Sequence, residues 1–389
     1  MYIRSRKAPR VALIHYWLVG MRGGEKVLES LCRMFPQADI FTHVAIPEKL
    51  SPTLRRHRII ETNIVQYPFS RRHYQNYLPL MPRALEALDL RGYDLIISSE
   101  SGPAKGVLPP PDAPHLCYCH SPMRYIWDQF HVYREQASPL QRAVMPLFAH
   151  GLRQWDVSSS ARVDGFVANS THVSKRIQKY WRREATVVAP PVDVSTFQPA
   201  PKEEISDSYL WVGDLASYKR PDLMLQAFKQ MDLPLNIIGG SKAQIRQLSS
   251  LAGQRTKFLG HVDAPTLREY LSRCRALIFP GEEDFGIVPV EAMAAGRPVI
   301  AYGRGGVLDT VIDGHTGIFF DDPTVDSLVG AIDRFQKSGL ASADSTVFTA
   351  QAGKFTEARF HAGIVKALKN IGFDENVCDF PLPVRLASG

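Results

Sequence analysis

The sequence predicts an α/β protein of two successive units, each a mainly parallel sheet covered by helices on both faces. Two observations carry this. Short β-branched and apolar runs alternate with stretches of helical period along the first half, and the same alternation restarts after a proline-rich interruption. The 389-residue length also exceeds what one hydrophobic core usually organises.

Residues 11–15 form the first apolar run, followed by a glycine-containing loop at 20–24. Residues 25–35 place Val27, Leu28, Leu31 and Met34 at helical spacing. Residues 40–44, 95–98, 116–119 and 165–168 are strand-like. After the last of these, Asn169-Ser170 caps a helix over 173–180. Ala189-Pro190-Pro191-Val192-Asp193 continues neither a helix nor a central strand, and residues 196–207 are polar. The linker is placed here, giving domains 1–194 and 195–365. Beyond it, strands are expected at 209–212, 235–238, 257–259, 276–279 and 298–301, and a helix at 221–230. A further helix over 356–371 and a tail without period complete the chain, 366–389 being set apart as helix end and tail.

Composition narrows the function classes. Hydrophobic residues make up 45% and charged residues 22%, as in a folded globular chain. The five cysteines, Cys32, Cys117, Cys119, Cys274 and Cys378, include no Cys-x-x-Cys, so neither a disulfide framework nor a zinc cluster is expected. This suits a reducing compartment. Arg4, Arg6, Lys7 and Arg10 precede an apolar run in the manner of a signal peptide. His15 interrupts that run, however, and Arg22-Gly23-Gly24-Glu25-Lys26 stands where small cleavage-site residues belong, so the run is read as a buried strand. No stretch approaches the roughly 18 apolar residues of a spanning helix.

The net charge of +7 and pI near 9.1 suit either solubility or an anionic partner. Residues 51–91 concentrate Arg55, Arg56, Arg58, Arg71, Arg72, Arg83 and Arg91 among Tyr67, Phe69, Tyr74, Tyr77, Leu78, Leu80 and Met81. Such a cluster fits anionic lipid heads, and a solvated helical face accounts for it equally. A nucleic-acid binder is disfavoured because no zinc finger, RNP motif or basic zipper is present. A dinucleotide dehydrogenase is disfavoured because Gly-x-Gly-x-x-Gly does not follow a strand.

The segment Glu283-Asp284-Phe285-Gly286-Ile287-Val288-Pro289-Val290-Glu291 follows a strand and opens a helix, with Pro289 in its first turn and Gly296 at its stop. Amides of Phe285, Gly286 and Ile287 at a strand's carboxyl end suit an anion, and carboxylates there accept sugar hydroxyls. A solvated acidic loop accounts for the spacing as well as a ligand grip does. Glu-x7-Glu enclosing Phe-Gly and Pro, followed by Ala-Met-Ala, resembles the signature of family 4 retaining glycosyltransferases. That resemblance implies the GT-B architecture: two Rossmann-like domains facing a cleft, with the C-terminal helix returning to the N-terminal domain.

Further segments extend the resemblance across residues 10–365. Gly20-Met21-Arg22-Gly23-Gly24 resembles the family's glycine-rich loop, which implies donor contacts at Gly23 and Gly24. Cys119-His120-Ser121-Pro122-Met123-Arg124-Tyr125 resembles bacterial mannosyltransferases of surface polysaccharide assembly, which implies a sugar contact at His120. The segment 211–222 resembles the first donor-domain loop. It implies that Lys219 neutralises the diphosphate, while Asp214 stands where many members carry arginine, a loss for which Arg220 or Arg22 would compensate. Gly303-Arg304-Gly305-Gly306 resembles a loop near the nucleotide.

Together these imply His120, Lys219 and Glu283 as catalytic residues, and Gly23, Gly24, Arg220, Phe285, Gly286, Ile287 and Glu291 as donor contacts. Arg55, Arg56, Arg58, Arg71 and Arg72 lie on the acceptor or membrane side. The implied co-substrate is a nucleotide sugar, GDP-mannose being favoured over a UDP-sugar, with no separate cofactor. No Asp-x-Asp occurs, so no metal clamp is expected. The implied acceptor is a polyprenyl-diphosphate-linked saccharide, handled in the cytoplasm at the inner face of the cytoplasmic membrane. An epimerase of the same architecture stays open.

Overall fold

The computed structural model describes residues 8–373. Arg4, Arg6, Lys7, Cys378 and most of the expected tail lie outside the described residues. The chain divides into two compact units. The first runs to Pro191 and resumes at Glu357; the second spans Val192–Thr356.

The first unit is a seven-stranded parallel sheet: β1 (Val11–His15), β2 (Asp39–Thr42), β3 (Ile59–Glu61), β4 (Leu95–Glu100), β5 (His115–Cys119), β6 (Gly165–Ala168) and β7 (Thr186–Val187). Its order is β3-β2-β1-β4-β5-β6-β7. The central strands are buried along their whole length, as covering helices require. The second unit is a six-stranded parallel sheet: β8 (Tyr209–Val212), β9 (Leu235–Ile238), β10 (Thr256–Gly260), β11 (Leu277–Phe279), β12 (Val299–Tyr302) and β13 (Gly317–Phe320). Its order is β10-β9-β8-β11-β12-β13. Each sheet therefore reverses its winding once, between β1 and β4 and between β8 and β11. Such reversals open crevices at the carboxyl edge of open α/β sheets.

The helix Glu357–Asn370 belongs wholly to the first unit, which moves the domain end from 365 back to Thr356. Ser30 Oγ lies 2.9 Å from His361 Nε2, Arg33 Nε donates to Glu357 Oε1 at 2.7 Å, and Phe360 packs edge-on against Tyr118. The basic region 51–91 is not one helical face. It breaks into short helices at Pro52–Arg55, Ser70–His73 and Met81–Glu86, with β3 and a 3₁₀ stretch, Tyr74–Leu80, between them. No helix among the described residues is long and apolar enough to cross a membrane.

One polar network is sealed inside the first unit. Lys105 Nζ pairs with Asp156 and, at 3.3 Å, with Glu100 Oε1, all three side chains being fully buried. Trp127 Nε1 and Trp181 Nε1 donate to Asp156 Oδ2 at 2.8 and 2.7 Å. The amides of Ala104 and Lys105 donate to Glu100 Oε2. Burial opposes the Lys105 charge, but the two carboxylates outweigh it and hold the ammonium above its ordinary range. Removing the cation strands two buried carboxylates. Lys105→Met is therefore expected to destabilise the first unit by about 3–5 kcal/mol, read as a lower urea midpoint of its unfolding transition. A midpoint shift indistinguishable from zero would contradict this account.

Candidate functional site

The loops after β8 and β11 meet where the second sheet reverses. After β8 the chain makes a 3₁₀ turn, Ser217–Lys219, and enters the helix Pro221–Met231. After β11 the acidic loop leads into the helix Ile287–Ala294. Lys219 Nζ lies 2.7 Å from Glu283 Oε1, their side chains being 14% and 22% exposed. Burial disfavours the Lys219 charge, yet the adjoining Glu283 carboxylate holds the ammonium above the usual lysine range. The sequence placed these residues in separate loops; the fold makes them partners.

The loop after β12 fixes the acidic segment from behind. The amide of Gly306 donates to the Glu283 carbonyl at 2.8 Å. A Cβ at Gly306 would come within 2.3 Å of the Asp284 carbonyl oxygen, so only glycine permits this approach. Gly286 caps the helix Ile287–Ala294 at φ 85°, a left-handed conformation costly to other residues. The helix starts at Ile287, two residues before Pro289, which loses nothing there because the first four amides of a helix have no partner within it. Glu291 sits half-buried in its first turns.

Phe285 is 4% exposed with its ring edge-on to Phe355, centroids 5.7 Å apart, so its side chain anchors the loop and only its backbone is available to a ligand. Arg220, at φ 53°, turns its guanidinium onto Asp222 at 3.1 Å and the Pro323 carbonyl at 3.3 Å. Its charge is thereby paired with Asp222 before any ligand is bound, as that of Lys219 is with Glu283. Asp214 itself accepts from Gln244 Nε2 at 2.9 Å.

At the reversal of the first sheet, Gly23 and Gly24 open the helix Gly23–Met34. Glu25 in its first turn is buried and accepts the Arg22 amide at 3.1 Å. His120 directly follows β5. Its amide donates to the Glu100 carbonyl at 2.8 Å, and its Nε2 lies 2.8 Å from Ser99 Oγ. Its carbonyl accepts from Asn169 Nδ2 at 2.9 Å. Burial pushes the imidazole down to about 4, which leaves it neutral near pH 7. Ser170 Oγ caps the helix Thr171–Trp181 by accepting the Val173 amide at 3.1 Å.

His15 is a residue that reasoning from sequence passed over. It ends β1 in register with Ser99, is fully buried, and its two ring nitrogens have no protein hydrogen-bond partner. Burial and neighbouring His120 hold it well below the ordinary histidine range. A histidine closing an otherwise apolar strand was the available signal. Arg55, Arg56, Arg58, Arg71 and Arg72 are all exposed, and Arg71 pairs with Glu61 at 2.9 Å.

Two family models match successive parts of the chain: "Glycosyltransferase Family 4" over residues 21–196 and "Glycosyl transferases group 1" over residues 196–350. A D-inositol 3-phosphate glycosyltransferase of Xylanimonas cellulosilytica is 30% identical over 218 residues, covering 49% of this chain and 48% of its own. The GDP-Man:Man(3)GlcNAc(2)-PP-Dol alpha-1,2-mannosyltransferase of Xenopus laevis is 30% identical over 199 residues, 44% of this chain and 40% of its own. The chain spans about half the length of the curated relatives it matches. Among solved structures, HepE of Anabaena in complex with UDP and glucose superposes with a TM-score of 0.66 at 17% identity, covering 93% of this chain and all of that one. This last likeness is one of fold.

The Gly306 contact gives a direct test. Gly306→Ala is expected to destabilise the second unit by about 1–3 kcal/mol through overpacking. Gly353→Ala, where a Cβ meets nothing within 4 Å, serves as the control. Equal melting temperatures for the two variants would contradict the packing described.

Proposed function

Because the chain belongs to the family 4 glycosyltransferases, we propose that it transfers a sugar, with retention of anomeric configuration, from a nucleotide-sugar donor to a lipid-linked saccharide. The observation that carries this reading is the Lys219–Glu283 pair at the strand-order reversal of the second sheet. Breaking the C1–O bond of a nucleotide sugar builds positive charge on the sugar and negative charge on the departing diphosphate. Lys219 and the amides at Gly286 and Ile287 supply positive potential for the latter. Glu283, an acceptor only when ionised, takes sugar hydroxyls, and Glu291 takes the ribose. Before the donor arrives, each of the paired charges neutralises the other. The diphosphate then competes for Lys219 and the sugar hydroxyls for Glu283. His120, held neutral, has its Nε2 engaged by Ser99 and leaves its other ring nitrogen to meet a sugar hydroxyl.

GDP-mannose is the favoured donor. The Cys119-to-Tyr125 segment supports it, as does likeness to a relative whose name gives GDP-Man as donor. A UDP-sugar is the second reading, favoured by the fold likeness to HepE, solved with UDP and glucose. The proposed acceptor is a saccharide on polyprenyl diphosphate, and the proposed location is cytoplasmic, peripheral on the inner face of the cytoplasmic membrane. Release and transfer of sugar are to be compared for GDP-mannose, UDP-glucose and UDP-N-acetylglucosamine. Turnover is expected with GDP-mannose, and Lys219→Ala is expected to lower it about 10²–10³-fold. Turnover of the UDP-sugars alone would contradict the assigned donor, and turnover unaffected by Lys219→Ala would contradict the assigned role.

A further inference from the structure

The helix Pro139–Ser160 changes character along its length. Its C-terminal half is core: Ala149, Leu152, Asp156, Ser159 and Ser160 are buried. Its N-terminal half is apolar and faces out. Leu140 and Leu147 are each 75% exposed, with Phe148 at 46% and Val144 at 39%. The spacing 140, 144, 147, 148 puts all four on one face of the helix. A contiguous apolar stripe of this kind on a folded chain marks an interaction surface.

The same helix walls a cavity of about 610 Å³, lined by Leu78, Pro79, Tyr125, Tyr133, Met145 and Phe148 among others. That volume is within the range of ligand pockets. The opposite wall belongs to the 3₁₀ stretch Tyr74–Leu80. The exposed Tyr67 stacks on Tyr77 of this stretch, whose hydroxyl donates to the Pro68 carbonyl at 2.7 Å. Next to them Phe69, 79% exposed, is held out from a left-handed backbone at φ 53°.

Charge decides what covers this face. Residues 67–85 and 137–155, which carry the helical and 3₁₀ walls, hold Arg71, Arg72, Arg83, Arg142 and Arg153 and no aspartate or glutamate, Arg71 pairing with Glu61 from outside them. The remaining wall, with Tyr125, Ile126 and Tyr133, lies in a segment where Arg124 and Arg134 balance Asp128 and Glu135. Two copies meeting through this face about a two-fold axis would set arginine against arginine. An anionic leaflet meets both demands, with apolar side chains below the headgroups and arginines among them.

We propose that the stripe Leu140–Val144–Leu147–Phe148 is the docking surface for an anionic lipid leaflet, and that the cavity beside it receives the hydrocarbon chain of a lipid. This rests on the reading of the acceptor as lipid-linked, and it assigns the insertion to a helix outside the basic region 51–91.

The test is cosedimentation of the full chain with vesicles of phosphatidylglycerol and phosphatidylcholine, and with phosphatidylcholine alone. The wild type is expected to bind the anionic vesicles more strongly. Leu140→Asp/Leu147→Asp is expected to lower the partition coefficient by about tenfold or more, with unchanged melting temperature and unchanged stabilisation by nucleoside diphosphate. Equal vesicle binding by wild type and variant would overturn the docking surface. So would transfer by the wild type to a detergent-dispersed polyprenyl acceptor without vesicle binding, a result that leaves the lipid-linked acceptor standing. A wild-type dimer that the double substitution dissociates would assign the face to a second copy and overturn the proposal.

Discussion

The constraint on which the rest depends is the single reversal of strand order in each parallel sheet. All strands of a parallel sheet release their loops at one edge. Helices cover both faces, so that edge is the place where neighbouring loops diverge and leave space. In the second unit the diverging loops follow β8 and β11, and they carry Lys219 and Glu283. In the first unit they follow β1 and β4; β1 ends on His15, in register with Ser99 of β4, which bonds His120 at the end of the adjoining β5. Loop chemistry is thus placed by topology, while glycines at Gly286 and Gly306 allow the backbone to follow.

The two ion-pair systems show how environment divides structure from function. Lys105, Glu100 and Asp156 are sealed, and amides and two indole donors occupy the remaining acceptor positions, so the network is spent on holding the loop after β4. Lys219 and Glu283 keep part of each side chain in solvent. An exchangeable partner suits a site that must change partners when a ligand enters. Pairing across two loops also holds both charges in position beforehand, which is the requirement for electrostatic preorganisation.

Much of the fold was legible because buried parallel strands read as continuous apolar runs. Residues 11–15, 165–168, 209–212 and 235–238 are strands with the expected bounds. β3 and β7 escaped because edge strands of three and two residues carry too little pattern. β13 escaped because an edge strand of four residues that opens on glycine carries little more. The helix Pro139–Ser160 was missed because Pro146 stands inside it, where a helix is not expected to continue. In the site, loop membership of Lys219 and Glu283 was legible, but their contact spans sixty-odd residues and depends on β8 lying beside β11, which no local pattern records. The packing of Phe285 on Phe355 is likewise a tertiary fact.

The central claim is a division of labour: Lys219 holds the diphosphate and Glu283 holds the sugar. Calorimetric titration of the wild type, Lys219→Ala and Glu283→Gln with GDP and with GDP-mannose tests it most directly. The account predicts that Lys219→Ala weakens both ligands by about 10- to 100-fold, as loss of a charge-assisted contact should. It predicts that Glu283→Gln weakens GDP-mannose alone, GDP binding as tightly as before or more so. Affinities for both ligands that survive both substitutions unchanged would contradict it and reduce the pair to a structural salt bridge.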